Sequence, residues 1–153
     1  MAEAKTFMVE GAQLLFRNFS GAESQYNRAG DRNFTVVLDP EAAEQMLADG
    51  WNVKYLAARE EGDEETPVIQ VAVGYKARPP QVTMIAGKRR TLLDEDMIEI
   101  LDHVEIDNCD LVARAYNWEV NGKTGIKAYL QTMFMTIVED PAEAALQAKY
   151  EEG

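Results

Sequence analysis

At 153 residues and 17.1 kDa the chain has the size of one ordinary domain, long enough to bury a core without disulfide staples. Apolar residues at 46% and charged residues at 27% exclude a wholly disordered or fibrous chain. Fifteen Lys and Arg against 27 Asp and Glu leave −12, so net charge alone does not draw the chain to duplex DNA or anionic membrane.

Alternation starts early, with Phe7 and Val9 and then Leu14 and Phe16 at the two-residue period of a strand. Residues 18–33 (NFSGAESQYNRAGDRN) are rich in Gly, Asn and Ser without an apolar period, which predicts a long loop of the kind that carries function. FTVVL at 34–38 reads as a strand. A helix is predicted over 39–50: Asp39 caps it, Pro40 suits its first position, Ala42, Ala43, Met46 and Leu47 form an apolar face, and Gly50 stops it. WNVKYLA (51–57) alternates again and leads into a solvated acidic turn at 59–65. VIQVAVGYKA (68–77) has the apolar continuity of a central strand, and the prolines of RPP (78–80) break it.

QVTMIA (81–86) and Thr91–Leu92 flank GKRR, a hairpin with a basic tip. A short helix is expected over 94–102, with Met97, Ile98 and Leu101 spaced helically behind acidic residues. Two long strands, 110–120 and 125–138, follow, and the Asn-Gly of NGKT between them is a strong hairpin signal. About six strands with one clear helix predict a mainly β, β-rich α+β fold: an antiparallel barrel, closed or partly open, with a long C-terminal hairpin. A sandwich stays open at this point. The expected organisation is one domain over 1–138 and an acidic tail or terminal helix over 139–153.

Charge is segregated. Thr66 to Leu93 contains no acid but holds Lys76, Arg78, Lys88, Arg89 and Arg90, whereas residues 94–110 carry eight acids. Aromatics lie beside cations in the pairs Phe16–Arg17, Tyr26–Arg28, Trp51–Lys54, Tyr75–Lys76 and Lys127–Tyr129. Single-stranded nucleic acid asks for that mixture, with cations along phosphates and aromatic faces under bases of any identity. Neighbours in a strand face opposite ways, so Phe16 and Arg17 do not share a face. Phe7, Phe34 and Phe134 are assigned to the core. The residues expected to bind are Arg17, Tyr26, Arg28, Arg32, Trp51, Lys54, Tyr75, Lys76, Arg78, Lys88, Arg89, Arg90, Lys127 and Tyr129, with Tyr26, Trp51, Tyr75 and Tyr129 stacking and the cations holding phosphates.

Chemistry for catalysis is sparse, and the expectation is a non-enzyme without cofactor or metal. Cys109 is the one cysteine, which rules out an intramolecular disulfide and a cysteine-cluster zinc site and fits a reducing cytoplasm. His103 is the one histidine, and Ser20 and Ser24 lie outside any nucleophile-elbow context. Asp94, Asp96, Asp107 and Asp110 are a magnesium-nuclease alternative, weighed against their use as helix-start and loop acids. No apolar run nears the roughly 18 residues of a spanning helix, and MAEAKTFMVE lacks a leader layout, so no membrane association is expected.

The strings LLFRNFSGAESQYNRAGDRNFTVVLD (14–39), DGWNVKYL (49–56), VAVGYKARPPQV (71–82) and YNWEVNGKTGIKAYLQTMFMTIVED (116–140) resemble small tailed-phage single-stranded DNA-binding proteins. The resemblance spans most of residues 12–140. It implies an OB-type barrel that coats single-stranded DNA during replication, recombination or repair in the host cytoplasm. It also implies an acidic tail that recruits replication or recombination proteins; here Glu139, Asp140, Glu143, Glu151 and Glu152 face one Lys149. A β-rich protein-interaction or virion-structural domain is the competing reading. Self-association through edge strands or the last hairpin stays open.

Overall fold

A computed structural model describes residues 6–25, 27–57, 62, 64–76 and 78–138. In chain order the elements are β1 (Thr6–Val9), β2 (Leu14–Asn18), β3 (Arg32–Val37), α1 (Pro40–Ala48), β4 (Val53–Leu56), β5 (Thr66–Val73), β6 (Gln81–Ala86), β7 (Arg89–Leu93), a 3₁₀ helix (Ile98–Asp102), β8 (Ile106–Val120) and β9 (Lys123–Ile137). Nine strands among the described residues form one sheet, so a two-sheet sandwich is not the architecture. The tail expected over 139–153 lies outside the described residues.

The main hydrogen-bonded path runs β1-β8-β9-β5-β3-β2, with β4 on β5, β6 on β9 and β7 on β6. Its two end strands, β1 and β2, are consecutive in the chain, separated by residues 10–13. The path therefore returns to its start through the backbone. Across that gap the Ala12 N–H donates to the Cys109 carbonyl of β8 at 2.7 Å. The product is a partly open barrel. β9 pairs in parallel with β5 and then β6 along one edge and antiparallel with β8 along the other.

Alternation fills the interior. Phe34 and Val36 of β3, Val71 of β5, Leu111 of β8 and Met133 and Met135 of β9 are almost fully buried. Because Met133 and Met135 take the inward positions, Phe134 between them faces out at 39% exposure, contrary to its assignment to the core. Phe34 instead stacks on Phe19, with centroids 5.2 Å apart.

Helix α1 forms for the reasons legible in its sequence. The Asp39 side chain accepts from the Ala42 N–H at 3.3 Å, Pro40 opens the helix, and Ala43 and Met46 are its buried face. Gly50 follows at φ +99°, a left-handed conformation that glycine adopts without cost. The helix expected over 94–102 is a 3₁₀ turn restricted to Ile98–Asp102. Its buried residues, Ile98 and Leu101, are three apart, which aligns them on a 3₁₀ helix. No helix among the described residues is long and apolar enough to cross a membrane.

Candidate nucleic-acid interface

The β8–β9 hairpin turns at Asn121 and Gly122, both at positive φ (51° and 78°), as a tight hairpin turn requires. Register then decides what meets across it. Arg114 opposes Tyr129, Tyr116 opposes Lys127, and Trp118 opposes Gly125. Since Leu111 and Ala113 face inward, these pairs face out. Two cations and two tyrosines thus alternate on one outward surface. The Arg114 guanidinium carbon and the Lys127 ammonium each lie 5.3 Å from the Tyr129 ring centroid. Tyr116 meets Tyr129 edge-on at 5.6 Å and is 53% exposed.

Glycines make room for this surface. A Cβ on Gly125 would sit 2.5 Å from the Trp118 ring, so the indole lies directly over the β9 backbone. A Cβ on Gly74 would be 3.4 Å from Cε1 of Tyr129. Arg114 Nη2 reaches the Arg78 carbonyl at 3.5 Å, which brings the connection carrying exposed Lys76 and Arg78 beside the hairpin.

The residues expected from sequence divide among several locations. Lys127 and Tyr129 form the outward surface just described, and Lys76 and Arg78 adjoin it. Lys54 is exposed on β4. Arg28 projects from the 18–33 loop with its side chain 91% exposed and Asp31 3.5 Å away. That loop is tied internally: the Asn27 side-chain amide donates to the carbonyls of Ala22, Arg28 and Asp31, and Asn33 donates to Asn27. Lys88, Arg89 and Arg90 sit at the β6–β7 tip, beyond the pairing of Ile85 with Thr136. At about 3.3 Å per residue that is on the order of 20 Å along β9 from Tyr129. Tyr26 lies outside the described residues.

Four expected contacts are occupied elsewhere. Trp51 is 5% exposed and meets Phe7 edge-on at 5.1 Å, so no face is left for a base. Arg17 donates to the carbonyls of Leu101 (2.9 Å) and Val104 (2.7 Å), binding β2 to the 3₁₀ segment. Arg32 pairs with Glu95 at 3.3 Å and covers the Tyr75 ring at 5.7 Å. Burial pushes the Tyr75 phenol up to about 12; Arg32 opposes that rise, and Glu95 and Asp94 add to it. These side chains join parts of the barrel, a role that long-range contacts decide and local sequence does not announce.

Arg114 and Tyr116 were missed. Their signal was present in ARAYNW, where Arg114, Tyr116 and Trp118 repeat at period two, opposite Lys127 and Tyr129 across an Asn-Gly turn. Three of the acids of 94–110 accept from backbone N–H groups. Asp94 accepts from the N–H groups of Asp96 and Met97, Asp102 from those of Phe19 and Ser20, and Asp110 from that of Gly11. Cys109 is buried, and burial, with Asp110 adding to it, pushes its thiol up to about 12.

The fold is similar to that of the single-stranded DNA-binding protein of bacteriophage Enc34, at 12% identity and a TM-score of 0.56 over 89% of this chain and 83% of that one. The structure of that phage protein in complex with ssDNA superposes at TM-score 0.53 and 12% identity, over 89% of this chain and 88% of that one. No curated protein matches the chain. The family described as "Putative phage ssDNA-binding domain" matches residues 2–152. That match covers the whole barrel, and the chain belongs to this phage ssDNA-binding domain family.

Proposed function

We propose that the chain binds single-stranded DNA with little regard to sequence, using the outward face of the β8–β9 hairpin, and that it performs no catalysis. The observation that carries this is the alternation of Arg114, Tyr116, Lys127 and Tyr129 on one surface, both cations 5.3 Å from one tyrosine ring. Among the described residues neither Arg114 nor Lys127 has a carboxylate partner. Their charge is available to phosphates, while Tyr116 offers a half-open ring to a base. Lys76 and Arg78, beside the hairpin, extend the phosphate track. Membership of a phage ssDNA-binding family supports the reading. It also supports a role in phage DNA replication, recombination or repair, with the acids of 139–153 as the surface for protein partners.

The experiment is a tryptophan fluorescence titration with oligo-dT and then with duplex of equal length, at low and high salt. Trp118 lies in the binding hairpin and Trp51 in the core, so Trp118 is the reporter. Quenching by oligo-dT alone, reversed by salt, is expected. No response, together with flow-through on single-stranded DNA cellulose, contradicts the reading.

A further inference from the structure

Among the described residues only Phe16 and Asn121 have positive φ without being glycine, both at 51°. Asn121 has a local reason, the hairpin turn. Phe16 has none. It lies where β2 slips against β3: Leu15 opposes Thr35 and Asn18 opposes Asn33, so Phe16 and Arg17 together face Phe34. This is a bulge whose first residue is left-handed, a position glycine normally takes because a bulky side chain is strained there.

The bulge moves the Phe16 ring out of the barrel. At 69% exposure it is the most exposed large apolar side chain among the described residues. Looseness is not the cause. Arg17, the next residue, is locked to two carbonyls, and Phe19 shortly after is fully buried. A strained backbone, paired at Leu15 with Thr35 on one side and anchored through Arg17 on the other, that projects an apolar ring into solvent points to a ligand for that ring.

Cross-strand register relates Phe16 to the tyrosine surface. Tyr129 pairs with Ala72, Ala72 with Asn33, and Asn33 with Asn18, two residues from Phe16. Three strand spacings of about 4.8 Å make this path about 14 Å along the sheet. Its outward floor, half-buried Ala72 and Asn33 with exposed Gln70 alongside, carries no charge to repel a phosphate chain. We propose that Phe16 is a second base-stacking site, at the far end of this floor from Tyr116 and Tyr129, and that a single strand crosses β5 and β3 between the two. The proposal rests on the single-strand reading of the hairpin face.

The test measures anisotropy of labelled oligo-dT with the parent chain, Phe16→Gly, Phe16→Trp and Lys127→Ala. Glycine removes the ring and suits the backbone, so the Phe16→Gly chain should melt no lower than the parent while binding about ten-fold more weakly. Its salt dependence should be unchanged, since no charge is lost. Phe16→Trp should keep the affinity and add a fluorescence signal that oligo-dT quenches. If Phe16→Gly binds like the parent while Lys127→Ala binds more weakly, the second site is refuted and the hairpin reading stands. If the parent itself does not bind oligo-dT, both fall. A Phe16→Gly chain that loses self-association but keeps its affinity makes the ring a contact between copies and overturns the proposal.

Discussion

Two places in this barrel set arginine against tyrosine, and they do different work. On the outer face of the β8–β9 hairpin, Arg114 lies 5.3 Å from the Tyr129 ring with Lys127 at the same distance. Where β3 begins and β5 has just ended, Arg32 lies 5.7 Å from the Tyr75 ring. Glu95 already answers the charge of Arg32 at 3.3 Å, and burial raises the Tyr75 phenol to about 12. The pair at the hairpin has no carboxylate within an ion-pair distance among the described residues. Adjacency of an aromatic and a cation therefore does not identify a nucleic-acid contact. What separates the two places is whether another side chain has already neutralised the cation and covered the ring.

Substitutions that treat the two kinds of aromatic alike break or sharpen this comparison. The largest effect is expected for Trp51→Ala, which empties a core position and should cost about 3–5 kcal/mol in chemical denaturation. Binding by the fraction still folded should be unchanged. Tyr129→Ala should do the reverse, weakening oligo-dT binding by about ten- to one-hundred-fold, the worth of one stacked base. Its denaturation midpoint should move little. Arg32→Gln breaks a partly exposed ion pair and should cost about 1 kcal/mol or less in stability, with the salt dependence of binding untouched. A fall in that dependence would return Arg32 to the interface.

A further effect is confined to alkali. A phenol whose folded pKa of about 12 exceeds its ordinary 10.0 binds its proton more tightly in the folded state. Its contribution is intact below pH 10 and is lost as the pH rises toward 12. Tyr75→Phe should flatten that part of the stability profile in a pH series of melting curves. The buried Cys109 thiol acts in the same direction from about 9 to about 12 and should remain visible in that variant.

Local signals were legible where one short stretch decides the outcome. Asp39-Pro40 began a helix, Gln81–Ala86 formed a strand, and Asn121-Gly122 turned a hairpin. Features that depend on a distant partner were not. The bulge at Phe16 interrupts the Leu14–Phe16 alternation, and the Arg17 guanidinium beside it is anchored to carbonyls more than 80 residues away. Trp51 reads as a base-stacking aromatic from its neighbours in the chain, but Phe7, 44 residues earlier, meets it edge-on and buries it. Phe134 was assigned inward for its apolarity, although two flanking methionines already held the inner face. At the interface, Lys127 and Tyr129 were legible as a cation beside an aromatic, whereas Arg114 and Tyr116 needed the cross-strand register.

The most direct measurement is oligo-dT affinity against salt concentration for the parent and for Arg114→Gln/Lys127→Gln. Each phosphate contact on a single strand contributes about 0.7 to the slope of log K on log salt, so losing two should lower it by about 1.4. The affinity at low salt should fall while the melting temperature holds. An unchanged slope with unchanged affinity would contradict the account and move the interface away from the β8–β9 hairpin.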